Sequence, residues 1–398
     1  MLKKKKKIVF LDGEGFPHGF AAVQRMTFIA KALIEAGFDA WVINRKGIHK
    51  RGSNLKLKKK GAHQKINYLH ASLYPFRPSN FLLRNFLKIV GLLNQAFILL
   101  KLKEEPLFYG IVSTRSFASV LYYRIVSKIF GFKIIYDYVE MNSSTPETGK
   151  KRIRKLNDVL FEKYVFKLVD GFFCISDYLY RFIRANQPSI PLEKIPIISD
   201  FDRCVWIREK ANNFEDYFLY CGSLDYTEVI RFILNSFSQV NQTGKILLYI
   251  VVNGDAKQLS QLYKDIATIH NNHLVKVFRN LTDVQLSCLY ANAKALLIPI
   301  RPNKRDVARF PHKIGEYLAS SAPIITTAYG EIPNYFIDNY NAFIAKTYNI
   351  DSYAAKMKLV ISNPALASKI GINGFQTGLK NFDYRTLSHK MEAFFDNL

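Results

Sequence analysis

The sequence predicts an α/β protein built from two doubly wound domains, each a mainly parallel sheet covered by helices. Three observations predict it. Short apolar runs of strand length alternate with segments of helical apolar period, and turns bearing glycine, serine or asparagine follow many of the runs. The pattern fades once, between Asn186 and Asp216, into Pro188, Pro191, Pro196 and charged residues, and then starts again. At 398 residues the chain is long enough for two cores of ordinary domain size.

The first unit opens with a compact apolar strand, Ile8 to Leu11, and a loop from Asp12 to Phe20 that contains Gly13, Gly15 and Gly19. Apolar residues at Val23, Met26, Ile29, Ala30, Leu33 and Ile34 then follow the helical period, Gly37 closes the helix, and Trp41 to Ile43 begins the next strand. Leu107 to Val112, Lys133 to Tyr136 and Gly171 to Ile175 read as further strands, with a helix over Ser116 to Phe130. In the second unit, Tyr217 to Cys221, Lys245 to Val252, Val275 to Phe278, Ala295 to Pro299 and Pro323 to Thr327 read as strands. The expected division is 1–200, 201–380 and a closing segment, 381–398.

A formal net charge of +25 points to anionic partners, although any single lysine is more simply a solubilising surface group. Cys174, Cys204, Cys221 and Cys288 are scattered, which excludes the common zinc spacings and predicts free thiols. The apolar run after the basic stretch Lys3 to Lys7 is too short for a signal peptide. The longest apolar stretch, Ile89 to Leu100, falls short of the roughly 20 residues of a spanning helix. The expectation is a cytoplasmic protein, peripheral on the inner face of the plasma membrane.

Open parallel sheets bind ligands beyond the carboxyl ends of their strands. The loop Gly13-Glu14-Gly15-Phe16-Pro17-His18-Gly19 reads either as an oxyanion cradle or as a tight turn, and His18 breaks the dinucleotide fingerprint where its third glycine belongs. The segment from Ile300 to Leu318 is richer. A strand runs into a basic loop with Arg301, Lys304, Arg305 and Arg309, and Pro311 suits the first turn of a helix. Lys313 and Glu316 share a face of that helix, either to meet a phosphate and ribose hydroxyls or to pair with each other.

The run from Arg309 through Lys313, Glu316 and Tyr317 to Thr327 resembles the donor-site signature of retaining GT-B-fold glycosyltransferases of glycosyltransferase family 4. Phe16 to Arg25 resembles the family's N-terminal glycine loop and following helix. Tyr220 to Leu224 resembles its "vGrl" turn, Gly330-Glu331-Ile332 its loop near the donor sugar, and Asn381 to Leu387 its closing segment. The resemblance implies two Rossmann-like domains facing a cleft, with a C-terminal helix crossing back to the first domain. It implies Glu316 on the ribose, Lys313 near the diphosphate, Gly19 and Gly222 lining the cleft, and Ser223 and Glu331 at the donor. It places Arg309 where the family's E-x7-E motif carries its first glutamate. Ser223 and Glu228 stand where the usual basic pair is found, so the phosphate charge falls to Arg301, Lys304, Arg305, Arg309 and Lys313.

No cofactor or metal is expected beyond the nucleotide sugar as co-substrate, and Asp200-Phe201-Asp202 reads as a chance match to a metal-binding DxD. Asp137 and Glu140 follow a strand of the first domain. Either suits an acceptor hydroxyl, Asp137 equally suits a cap, and Glu140 with His18 is the catalytic choice. Between Tyr74 and Lys103, apolar and basic residues alternate as in an interfacial helix, aided by Lys56 to Lys60 and Lys150 to Lys155, or as in an ordinary core helix. The expected partners are a nucleotide-sugar donor, a glycan or lipid-linked acceptor in cell-surface polysaccharide synthesis and an anionic membrane surface, with no specific nucleic acid. The competing readings are a catalytically inactive binding subunit and a charge-driven nucleic-acid binder.

Overall fold

The computed structural model describes residues 6–19, 21–49, 55, 58–102, 108–141, 152–202, 215–240 and 246–398. Several positions named above lie outside these residues: Lys3, Lys4, Lys5, Phe20, Lys56, Lys103, Leu107, Lys150, Lys151, Cys204 and Lys245. The chain divides into one unit of Met1–Ile198 with Tyr384–Leu398, and a second of Ser199–Asp383.

The first unit begins β1 (Lys7–Phe10), α1 (Ala21–Glu35), β2 (Asp39–Asn44), β3 (Lys60–His63), β4 (Ile66–His70) and α2 (Phe81–Leu102). It continues with β5 (Phe108–Val112), α3 (Phe117–Phe130), β6 (Lys133–Tyr138), α4 (Arg152–Leu168), β7 (Gly171–Cys174), α5 (Asp177–Asn186) and β8 (Leu192–Lys194). The described strands lie in the order β3-β4-β2-β1-β5-β6-β7-β8. All neighbours are parallel except β3 and β4, a hairpin turned by Gln64 and Lys65, both at positive φ as a two-residue mirror-image turn requires. Strand order reverses between β1 and β5, which makes their carboxyl ends the place for a ligand.

Local sequence explains the boundaries. The α1 helix stops where Gly37 adopts a φ of +86° and returns its amide to the Ile34 carbonyl. Ser116 caps α3 through its side chain, and Gly131, left-handed, closes it. One expectation needs correction: the helix around Ile89 to Leu100 starts at Phe81 and runs 22 residues, long and apolar enough to cross a membrane by length and composition. Its buried residues, Leu87, Gly91, Gln95 and Leu99, form one i, i+4 row against the domain. The opposite row, Leu82, Phe86, Ile89, Leu93, Phe97 and Leu100, is exposed, Leu82 to 76% and Leu93 to 69%.

The second unit comprises β9 (Tyr217–Ser223), α6 (Thr227–Val240), β10 (Leu247–Asn253), α7 (Ala256–Ala267), β11 (Val275–Phe278), α8 (Asp283–Asn292) and β12 (Ala295–Leu297). There follow α9 (Lys304–Ala308), α10 (Lys313–Ala319), β13 (Ile324–Thr327), α11 (Ile332–Tyr335), β14 (Phe343–Ala345), α12 (Ile350–Ser362) and α13 (Pro364–Phe382). Its described strands, all parallel, run β11-β10-β9-β12-β13-β14, the Rossmann order with its reversal between β9 and β12. Apolar runs such as Leu247 to Val252 are buried on both faces, as strands in a helix-covered sheet must be.

The last helix, α14 (Tyr384–Asp396), belongs to the first unit, as the sequence led one to expect. Leu387, Met391, Phe394 and Phe395 enter the same core as Ile29, Leu33 and Phe38. The Phe395 ring lies 4.8 Å from Tyr109 and 5.3 Å from Phe38, and Phe394 lies 4.9 Å from Phe173.

Candidate functional site

In the second unit the residues expected at the donor lie around the reversal between β9 and β12. Helix α10 is tied to the end of β9 by a hydrogen bond from the Cys221 amide to the buried Tyr317 hydroxyl, 2.9 Å. Its first turn carries Lys313 and Glu316. The Lys313 Nζ donates to Glu316 Oε2 at 2.8 Å and to the Tyr290 hydroxyl at 3.2 Å, while that hydroxyl donates to Glu316 Oε2 at 3.2 Å. Burial works against the Lys313 charge, but the Glu316 carboxylate outweighs it and raises the ammonium's pKa. Lys313 thus stays charged across the physiological range. Pro311 precedes the helix rather than lying in its first turn: α10 begins at Lys313, and the Ile314 amide closes back on the Pro311 carbonyl.

The basic loop before it is partly helical and less free than its composition suggests. Asp306 on α9, 1% exposed, holds Arg301 through Nε at 2.7 Å and Arg309 through Nη2 at 2.8 Å. Arg301 also reaches Glu228 at 2.6 Å. Burial pushes against the Asp306 charge, yet the bonded Arg301 and the adjacent Arg309 bring its pKa below the ordinary carboxylate value. The Arg309 guanidinium also hydrogen-bonds the Tyr226 hydroxyl and lies 4.4 Å over its ring, with Arg305 at 5.1 Å. Its Nε is buried and has no hydrogen-bond partner among the described residues. Counted back from Glu316, the first position of E-x7-E is Ala308, one residue before the Arg309 named above, and Ala308 is fully buried.

The flanking turns complete this end of the sheet. Ser223 caps the turn Leu224–Tyr226 by accepting the Asp225 amide, and a Cβ on Gly222 would meet the Tyr220 hydroxyl at 2.3 Å. Gly330 has a φ of +62° and lies against Asp306 and Val307. Glu331 is buried and receives a hydrogen bond from Asn334 at 3.2 Å. Thr327, which ends the motif, both accepts the Ile300 amide at 2.8 Å and donates to the Ile300 carbonyl at 2.5 Å. Lys313, Glu316, Arg309, Arg301, Gly222, Ser223 and Glu331 thus all lie in the second unit, most of them bonded to other side chains. Sequence reading missed Tyr290, which lies on α8 with no local signal of its role, and it missed Tyr226 and Asp306 as the partners of the arginines.

In the first unit the glycine loop is pinned from beneath. Asn44 at the end of β2 accepts the Gly15 amide at 3.2 Å and donates to the Phe16 carbonyl at 2.8 Å. His49 Nε2 bridges the Gly15 and His18 carbonyls at 3.2 and 2.8 Å. His18 is half-buried and Gly19 exposed, so these two residues form the open lip of the loop. Of the two carboxylates after β6, Asp137 is internal: it holds Arg25 of α1 through three contacts of 2.7 to 3.1 Å, and Arg25 also donates to the Ile195 and Pro196 carbonyls. Glu140 stands nearer solvent, with Arg115 at 3.3 Å. Asp200 is buried and accepts the Asp202 amide in a local turn. Among the described residues no cluster of three or more His, Cys, Asp or Glu is arranged to hold a metal.

Residues 206–377 match the model of glycosyl transferases group 1. An uncharacterized glycosyltransferase of Methanocaldococcus jannaschii is 22% identical over 214 residues, 54% of this chain and 56% of that protein, so the match spans about half the length of this curated relative. Among solved structures, a sucrose-phosphate synthase from Thermosynechococcus elongatus is similar over 99% of both chains, with a TM-score of 0.74 and 14% identity. A glycosyltransferase from Rickettsia africae is similar over 99% of both chains, at 0.67 and 15%. Anabaena HepE in complex with UDP is similar over 98% of this chain and 100% of its own, at 0.67 and 13%. At these identities the structural likeness speaks for the fold. The chain has the GT-B fold, and residues 206–377, within its second unit, are similar to glycosyl transferases group 1.

Proposed function

We propose that this protein is a retaining glycosyltransferase that moves a hexosyl group from a nucleotide sugar to a glycan or lipid-linked acceptor, in cell-surface polysaccharide synthesis. The observation that carries the reading is the Lys313, Glu316 and Tyr290 cluster at the strand-order reversal of a group 1 domain. In this reading Glu316 accepts hydrogen bonds from the ribose hydroxyls, and Lys313 faces the diphosphate. Ser223, Gly222 and Glu331 border the donor. The bond from the anomeric carbon to the diphosphate oxygen breaks, and the acceptor oxygen bonds to that carbon as its proton leaves to a base. Negative charge grows on the leaving diphosphate, and a preformed positive site stabilises it most where water is excluded. Lys313, backed by Arg309 and Arg301, supplies that charge in the proposal, without a metal. Glu140 is the proposed base for the acceptor hydroxyl, and His18 contacts the sugar.

The exposed apolar row of α2 supports a second part of the reading, that the protein works on the inner face of the plasma membrane. Basic side chains flank that row on the same helix, Arg84 and Lys88 near one end and Lys101 at the other, as suits an interfacial helix on anionic lipid.

The test is release of nucleotide from a panel of UDP-, GDP- and CMP-sugars with membrane-extract acceptor. Release from one donor, dependent on acceptor, supports the proposal. No turnover with any donor contradicts it, and donor binding without turnover identifies a binding subunit instead.

A further inference from the structure

A cavity of about 260 Å³ opens in the first unit between the segment after β2, the segment after β4 and the first turns of α2. Four cations line it, Lys46, Arg77, Arg84 and Lys88, together with Tyr74 and Phe76, whose rings stack at 5.1 Å and 22°. No lining residue is acidic, and among the described residues none of the four cations is in an ion pair. Lys88 feels the crowding: burial first, then the charges of Arg84, Lys46 and Arg77, lower its pKa.

The walls are built by close contacts. A Cβ on Gly47 would meet the Phe76 carbonyl oxygen at 2.3 Å, and one on Gly91 would meet the Arg45 carbonyl oxygen at 2.1 Å. The 45–48 segment is therefore wedged between the 74–78 segment and α2, and glycine alone permits both approaches. Asn80 caps α2 by accepting the Leu83 amide at 3.0 Å, which fixes the turn that presents Arg84, and Leu87 and Lys88 follow on the same face. Ile48, which lines the cavity, and the following His49 lie against the glycine loop, where a Cβ on Gly15 would meet His49 Nε2 at 2.9 Å and Ile48 Cβ at 3.4 Å.

Cations converging on one small cavity repel one another, an anion among them relieves that repulsion, and two arginines with two lysines match a phosphate or diphosphate in charge. We propose that this cavity binds the phosphate or diphosphate group of a phosphorylated acceptor, with the Tyr74 and Phe76 rings against the adjoining part of that ligand. The proposal deepens the acceptor half of the proposed function and owes nothing to the donor half. The phosphate has two possible carriers, a soluble sugar phosphate or a lipid-linked phosphate.

Calorimetric titration of the full chain, without donor, tests it with three probes: pyrophosphate, a hexose 6-phosphate and farnesyl diphosphate below its micelle concentration. The expected result is saturable binding of at least one probe, weakened tenfold or more in Arg77→Gln and in Arg84→Gln. Lys369→Gln, an exposed charge loss on α13 of the second unit, leaves it unchanged, and melting temperatures confirm that the variants fold. Tighter binding of the hexose phosphate assigns the soluble carrier, and tighter binding of farnesyl diphosphate the lipid-linked one. Absence of binding by all three probes overturns the proposal. So does affinity that Arg77→Gln and Arg84→Gln leave intact, or that Lys369→Gln weakens equally, which marks diffuse surface charge. Because no donor is present, a failure here leaves the transfer reaction to stand or fall on nucleotide release.

Discussion

The Lys313 ammonium lies 2.8 Å from the Glu316 carboxylate one turn along α10, and Tyr290 bonds to both. The two charged side chains keep 31% and 20% of their surface exposed, so the pair contributes modestly to folding and can be reached by a ligand.

Replacing Glu316 by alanine is therefore expected to leave stability within about 1 kcal/mol of wild type, as for partly exposed ion pairs. Donor affinity is expected to fall about tenfold or more, because a buried hydroxyl pair on the ligand loses its acceptor. Denaturant unfolding and donor titration of the same preparation read the two effects separately. A large stability loss with intact affinity would make the pair structural.

Asp306 behaves in the opposite way. It is almost wholly buried and neutralises Arg301 and Arg309, so Asp306→Asn removes the carboxylate that holds Arg309 and leaves Arg301 with Glu228 alone. Breaking a buried pair costs about 3–5 kcal/mol, and the partial exposure of both arginines brings the expected loss to about 2–3 kcal/mol. Urea unfolding measures it. The lowered Asp306 pKa gives the sign of the pH effect: the stabilisation is present above the unfolded carboxylate pKa and is lost as pH falls through the folded one.

The two carboxylates after β6 divide in the same manner. Asp137→Asn breaks the buried Arg25 pair and is expected to destabilise the first unit by about 3 kcal/mol, whatever the substrate. Glu140→Gln, nearer solvent, is expected to leave the melting temperature unchanged and to lower kcat about a hundredfold, the usual scale of general-base loss. Equal kcat for Glu140→Gln and wild type removes Glu140 from the reaction.

His70 gives a pH-dependent test of the glycine-loop support. It is 5% exposed, its buried Nδ1 has no partner among the described residues, and Asn44 Nδ2 lies 3.4 Å from its Nε2. Burial lowers its pKa to about 4. The unfolded chain takes up a proton near pH 6.5 that the folded chain refuses. Stability is therefore full above about pH 6.5 and falls by up to about 1.4 kcal/mol per pH unit on the way down to pH 4. Melting curves of wild type and His70→Gln between pH 7.5 and 4.5 should diverge over that window, with the wild type losing more. Parallel curves contradict it.

What the sequence revealed follows from how local each determinant is. Buried parallel strands write themselves as apolar runs, so β9 to β11 were legible from Tyr217, Leu247 and Val275 onward. The hairpin of β3 and β4 was not, because β3 is exposed and reads Lys-Gly-Ala-His, and its turn uses Gln64 and Lys65 rather than glycine. The full extent of α2 was hidden because Arg84 and Lys88 interrupt the apolar run while the helical row of Leu87, Gly91, Gln95 and Leu99 continues through them. At the site, Lys313 and Glu316 are one turn apart and were read together. Arg25 and Asp137 meet across 112 residues and Arg301 and Glu228 across 73, and no local pattern announces such pairs.

The most direct test of the central claim, that the α10 cluster grips a nucleotide sugar, is a thermal-shift screen of UDP-, GDP- and CMP-sugars against wild type and Glu316→Ala. The account predicts that one nucleotide series raises the wild-type melting temperature in a saturable way and that Glu316→Ala abolishes most of that rise. A rise of equal size in Glu316→Ala, or none with any nucleotide sugar in wild type, would contradict it.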